Sequence, residues 1–245
     1  PFWAAAIGSV IAVGVAKMAF GGLGANVFNP AMVGRAFLTA SFGVLMTTWT
    51  VPATIDANLP QVGAQNIVDA RTQATPLGWS KIAIKDGAGA DIYNERQFVS
   101  TITGNIPGSL GETSVIAALL GGAYLLIRRT IDLHIPVAVL LAAFVFAGIA
   151  YLVNPDAYVQ PFYHLTSGAL LFGAFFIATD PVTAPLTRRG MWLFGLGVGA
   201  ITLLIRVVGK YPEGFMFAVL VMNGLTPLID RLFRRVPVGG KPRVG

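Results

Sequence analysis

The stretch IPVAVLLAAFVFAGIAYLV, residues 135–153, settles the class of structure, because it holds no charged residue and is long enough to cross a bilayer as one helix. A hydrocarbon core takes roughly 20 mostly apolar residues of α-helix. Inside it no water satisfies backbone groups left outside a helix or closed barrel. On the same criterion, six further stretches qualify or nearly do: Trp3–Phe20, Pro30–Trp49, Thr113–Ile127, His164–Thr179, Met191–Val208 and Phe215–Phe233. The runs beginning at Thr113 and His164 are short, so less tilted or partly broken segments are expected there. Trp3, Trp49, Tyr151, Tyr163, Trp192 and Tyr211 fall near span ends, where amphipathic rings anchor to the interface. The sequence thus predicts an all-α polytopic membrane protein with about seven transmembrane helices. Two lie within 1–49, a long polar loop fills 50–112, five lie within 113–233, and 234–245 is a basic tail.

Composition agrees. The chain is 55% hydrophobic and 11% charged, with mean hydropathy +0.70, whereas soluble domains carry about a quarter charged residues. The 29 glycines suit helices whose backbones approach closely in lipid. The chain opens on Pro1 with no charged leader before the first apolar run, and so reads as beginning inside a longer protein. With no cysteine, neither a disulfide nor a thiolate-held iron–sulfur cluster is available within the chain. His134 and His164 lie in different segments, which argues against zinc or haem held by this chain alone. An electron carrier with these residues needs an organic cofactor, and a flavin is the natural one.

Arginines set the topology. Arg128-Arg129, Arg188-Arg189 and the cluster Arg231, Arg234, Arg235, Lys241, Arg243 fall on connections of one side, which the positive-inside rule makes cytoplasmic. The net charge of +6 is accordingly a topology signal, for which the partner is the lipid bilayer and not nucleic acid. Residues 50–112, 154–163 and 209–214 face outward, and Lys81, Lys85 and Arg96 in the long loop are tolerated there.

That loop carries DARTQATPL, residues 69–77, which packs an acid, two hydroxyls and a proline into one cluster. On local physics alone such residues read as turn formers bonding nearby amides. The Gly/Pro-rich turns at 21–30 and 209–214 each join a span to a Phe-containing entry, and the preceding spans enter from opposite sides. This resembles a weak inverted repeat, an arrangement that places binding sites near the midplane, although such turns also join ordinary helix pairs. Ser109-x-x-Glu112 reads as a capping box opening the next helix. The glycine-rich turn before it is a candidate anion site, since helix N-terminal amides favour negative charge. Within the spans, Arg35 and Asp180 are the charges needing a reason. Asp180-Pro181 reads as a helix stop. Asn26, Asn29 and Asn223 read as cross-helix bonds, and Lys17 and Arg206 as snorkelling.

GANVFNPAMVGR (24–35), GNIPGSLGET (104–113) and GAFFIATDPVTA (173–184) together resemble the NqrB/RnfD family, and within it the Rnf type of ion-translocating electron-transport complex. The resemblance spans essentially the whole chain. It implies about ten helices in two inverted five-helix halves, similar to urea transporters, of which this sequence holds the last seven. It also implies FMN joined through its phosphate to a threonine within a pattern like Asp-Gly-x-Ser/Thr-Gly-Ala-Thr. Asp69, Thr72, Ala74 and Thr75 match that pattern and make Thr75 the acceptor, while Ala70 and Gln73 stand where glycines are usual. The segment Thr166–Leu170 begins similarly, lacks the terminal threonine and opens a span. A second, non-covalent flavin, riboflavin, is implied and is expected near Asn26, Asn29 and Arg35. Implied partners are a second covalent-flavin subunit, iron–sulfur and flavin subunits, and a flavin transferase for maturation. The implied location is the bacterial inner membrane with the Thr75 loop on the periplasmic side. The alternatives are the NqrB-type component of the sodium-pumping NADH:quinone oxidoreductase, a urea-transporter-like solute channel, and a structural scaffold.

Overall fold

Charge-free runs close into helices because in lipid every backbone amide needs an internal partner. The computed structural model of the chain describes residues 1–50, 72–73, 75, 77–78, 95–109, 111–155, 158–209, 211 and 213–234. Helix α1 (Phe2–Val10) continues through a π-helical stretch, Ile11–Val15, and a 3-10 turn, Met18–Phe20. Helices α2 (Pro30–Ser41) and α3 (Gly43–Thr47) follow, then strands β1 (Trp49–Thr50) and β2 (Thr72–Gln73). The remaining helices are α4 (Glu95–Thr103), α5 (Val115–Ile127), α6 (His134–Val153), α7 (Pro161–Thr166), α8 (Leu170–Phe176), α9 (Arg188–Val207) and α10 (Phe215–Leu232). Apart from the two-residue β pair, the described chain is helical, as expected of an all-α polytopic membrane protein.

Among the described residues, four helical runs are long and apolar enough to cross a membrane: Phe2–Phe20, α6, α9 and α10. The other expected spans are shorter or interrupted. Helix α5, with 13 residues, is about 20 Å long at 1.5 Å per residue. The Pro30–Trp49 run breaks at Phe42, where φ is −132° and ψ is 48°. The His164–Thr179 run breaks between α7 and α8, where Gly168 takes a φ of +71°. Helix α4 lies inside the stretch that the sequence reads as loop.

The core forms where α6, α9 and α10 meet around Val139, Phe194, Val198, Leu203, Phe215 and Val219, all essentially buried. Small residues let α6 and α9 come together. A Cβ added to Gly195 would lie 2.6 Å from the Ala138 Cβ and 2.8 Å from the Ile135 carbonyl oxygen. Such closeness is how helices gain dispersion contacts where lipid supplies no hydrophobic drive. Helix α2 packs against α10, with Phe28, two residues before its start, beside Gly224.

Three local expectations are corrected. The capping box does not form: α5 starts at Val115, capped by Ser114, whose side chain accepts from the Ala117 amide at 3.3 Å. Gly111 sits at φ +90°, which no helical residue adopts, so the chain stays in a turn beyond Glu112. Tyr163 is not an interfacial anchor but packs, 4% exposed, with Leu77 and Val159. Helix α8 ends at Phe176, before Asp180 is reached, and the Asp180 carboxylate instead accepts from the Thr183 hydroxyl at 2.9 Å in the turn beyond.

Candidate functional site

Both interrupted helices open onto one cleft. Irregular backbone in a membrane protein is tolerated where it is buried in protein or lines a cavity, and here it does the latter. The cleft encloses a cavity of ≈ 200 Å³, below the roughly 300–1,000 Å³ usual for ligand pockets. Its walls come from α2 and α3 (Met32, Arg35, Met46), the 106–113 turn (Ile106, Glu112) and the α7–α8 break (Gly168, Ala169). The α9–α10 connection closes it with Tyr211, Glu213 and Phe215, and Trp49 and Thr75 complete the rim.

Three contacts seat Thr75 in that wall. Strands β1 and β2 pair antiparallel, Trp49 with Gln73 and Thr50 with Thr72, tying the segment to the end of α3. Leu77, 3% exposed, packs with Val159 and Tyr163, and its Cδ1 lies 2.7 Å from where a Cβ of Gly168 would be. The Thr75 hydroxyl accepts from the Gly78 amide at 3.2 Å. That bond occupies one lone pair and leaves the O–H free to donate. Of the remaining motif residues, Thr72 contributes its backbone to β2, while Asp69 and Ala74 lie outside the described residues.

Arg35 reaches the cleft from α2. Its Nη1 donates to Glu112 Oε1 at 2.6 Å and its Nη2 to the Ser109 hydroxyl at 3.4 Å. Glu112 thus serves Arg35 instead of a helix cap. Asn26 and Asn29 are not brought into this cleft. Asn29 is the N-cap of α2, accepting from the Met32 amide at 3.2 Å, and Asn26 donates to the Phe28 carbonyl at 3.2 Å. Of the three residues expected to share a second flavin, Arg35 alone lines this cleft.

A second charged pair in the wall is absent from the sequence-based expectations. Arg206 does not snorkel: its side chain is 1% exposed. Its Nη1 donates to the His164 carbonyl at 2.6 Å, and its Nη2 donates both to the Ser167 carbonyl and to Glu213 Oε1 at 3.1 Å. The guanidinium thereby satisfies carbonyls left open where α7 ends. Glu213 Oε1 also accepts from the Ala169 amide at 3.2 Å, on the far side of the break. The break closes around this carboxylate because Gly168 has no Cβ to collide with Oε1. Burial pushes the Glu213 carboxyl above its ordinary value; Arg206 opposes this, Glu112 adds to it, and the Ala169 amide and Arg35 oppose it. The available signal was an arginine in the last turn of an apolar span followed by a lone glutamate in the next turn.

The wall presents the Thr75 hydroxyl, the Arg35 guanidinium and the rings of Trp49, Tyr211 and Phe217 to one cleft, groups able to meet an anion and a planar ring. Among the described residues no group of His, Cys, Asp and Glu is placed to hold a metal ion. Helix α5 runs from this cleft to Arg128, α9 from Arg188 back to the cleft, and α10 from it to Arg231. The cleft and the arginine-rich connections therefore occupy opposite ends of the bundle.

Fold and site define a helical membrane protein with broken helices around a polar-rimmed cleft at one face. The chain belongs to the NQR2, RnfD, RnfE family, which it matches over residues 1–239. It is 40% identical to the D component of the ion-translocating oxidoreductase complex of Stutzerimonas stutzeri, over 100% of this chain and 73% of that protein. It is 41% identical to the D component of the proton-translocating ferredoxin:NAD(+) oxidoreductase complex of Clostridium ljungdahlii, over 98% of this chain and 69% of that protein. With the corresponding ion-translocating oxidoreductase component of Halorhodospira halophila it shares 38% identity over 100% of its length and 71% of the relative's.

Proposed function

We propose that the chain is the membrane flavoprotein subunit of an Rnf-type ion-translocating electron-transport complex, carrying FMN on Thr75 through a phosphoester. The observation that carries this reading is the seating of Thr75 in a cleft wall that also presents Arg35 and several aromatic rings. The names of the relatives reported above, D components of ion-translocating or proton-translocating oxidoreductase complexes, support the assignment to such an assembly. When bound, FMN supplies one- and two-electron redox chemistry that none of this chain's own side chains has. Arg35 would hold the phosphate charge, Trp49 and Tyr211 would supply aromatic surface for the flavin, and the segment around Leu77 would anchor the tether. The remaining partners are further proteins of the complex, which supply nucleotide and iron–sulfur chemistry, and a transferase that attaches the flavin. The arginine distribution supports a cleft on the periplasmic side of a bacterial inner membrane.

The decisive test is the mass of the tryptic peptide spanning residues 72–81 after expression with a flavin transferase. A gain of FMN minus water on Thr75, absent from a Thr75→Val chain that still inserts into the membrane, is the expected result. Flavin retained on the variant, or no gain on the unsubstituted chain, overturns the reading.

A further inference from the structure

Arg35 and Thr75 have parts in the proposed holding of a tethered phosphate, whereas the Glu213 carboxyl is a half-buried acid in the same wall with no part in tethering. Its Oε1 is fixed twice, by Arg206 at 3.1 Å and by the Ala169 amide at 3.2 Å. Among the described residues no hydrogen bond reaches Oε2, and the side chain, 24% exposed, borders the cleft. A carboxyl held by one oxygen with the other facing a solvent-connected cleft keeps its position in either protonation state.

We propose that Glu213 is the proton-holding residue of this cleft. Arg206 and the Ala169 amide fix Oε1, and Oε2 takes a proton from water at the mouth, so that negative charge brought to the Thr75 wall is balanced there. The step forms one O–H bond at Oε2, breaks one in a hydronium ion at the mouth and leaves a water there, with no change of oxidation state. The charged and titratable groups facing Glu213 are Arg206 on α9, Arg35 on α2, Glu112 in the turn before α5, and Tyr211 in its own connection. Helix α7 presents the His164 carbonyl to the shared guanidinium. Of the three glutamates in the chain, Glu112 is engaged by Arg35 at 2.6 Å, while Glu213 keeps an open oxygen. Like charges sharing a site favour the neutral acid. A phosphoester at Thr75 therefore tightens the Glu213 proton, as does each electron delivered to the group it tethers. This rests on the flavin reading for the source of that charge.

The test uses the full chain labelled with ¹³C at the glutamate carboxyls, which gives three signals to follow with pH. The signal missing from Glu213→Gln is expected to titrate above the ordinary 4.5. Its proton affinity is expected to be about threefold or more higher in flavin-loaded protein than in Thr75→Val. Should Glu213→Gln fail to fold, Glu112→Gln and Glu95→Gln identify the Glu213 signal by elimination. An ordinary titration, or equal affinities in loaded protein and Thr75→Val, overturns the proposal. A chain without flavin whose Glu213 signal still titrates high supports the proton-holding role and overturns only the flavin reading.

Discussion

Arg206 is the residue on which the helix break depends most. Its guanidinium serves two carbonyls and one carboxylate at once, and its side chain is 1% exposed. Removing one partner of a buried pair costs about 3–5 kcal/mol, because the other is left uncompensated. Glu213 is 24% exposed and can take a proton, so Arg206→Met belongs at the lower end of that range. Thermal unfolding in detergent reads the loss. Gly168→Ala is harmful for a different reason. At φ +71° a Cβ strains the backbone by about 1–2 kcal/mol, and it also collides with Glu213 Oε1 and Leu77 Cδ1. Its midpoint should fall below that of the unsubstituted protein even though only a methyl group is added. Neither role is written in residue type alone. A span-end arginine snorkels as readily as it turns inward, and the choice depends on carbonyls presented by α7, 42 and 39 positions away in sequence.

At the scale of elements, the apolar runs that became α6, α9 and α10 were legible because length and hydropathy alone settle them. The runs at 30–49 and 164–179 show why the others were less so. Their hydropathy continues through the breaks at Phe42 and Gly168, and what interrupts them is tertiary: a cleft on one side and the Arg206–Glu213 pair on the other. Glu112 failed as a cap because Arg35, 77 positions away, offers a stronger partner at 2.6 Å than a backbone amide does. The motif around Thr75 was legible as a pattern, and Arg35 as a charge within a span that needs a partner, but the anchoring of the segment by Leu77 was not. Leu77→Ala should cost about 2–5 kcal/mol of local packing, because the side chain is 3% exposed among Val159 and Tyr163. The loss is expected as faster hydrogen exchange at the Gly78 amide, with the amides of α6 and α9 unchanged.

For the whole molecule, Glu213 ties stability to pH. Its carboxyl is raised in the folded chain, chiefly by burial, so the folded state binds more protons than the unfolded one above the ordinary 4.5. Stability from this residue is therefore greatest at and below 4.5 and declines as pH rises through the raised value. Unfolding midpoints measured across that interval should fall with pH, and Glu213→Gln should remove part of the slope. A slope unchanged in the variant would assign the dependence to other groups. The walls of the cleft have a further consequence, one of timing. Thr75 leaves the ribosome early, yet its seat is finished by residues 211–217, which are translated long after it. Until they arrive, the cleft lacks that part of its wall. The last helix hairpin is therefore the piece that completes the cleft, and a chain stopped before residue 211 would present Thr75 without it.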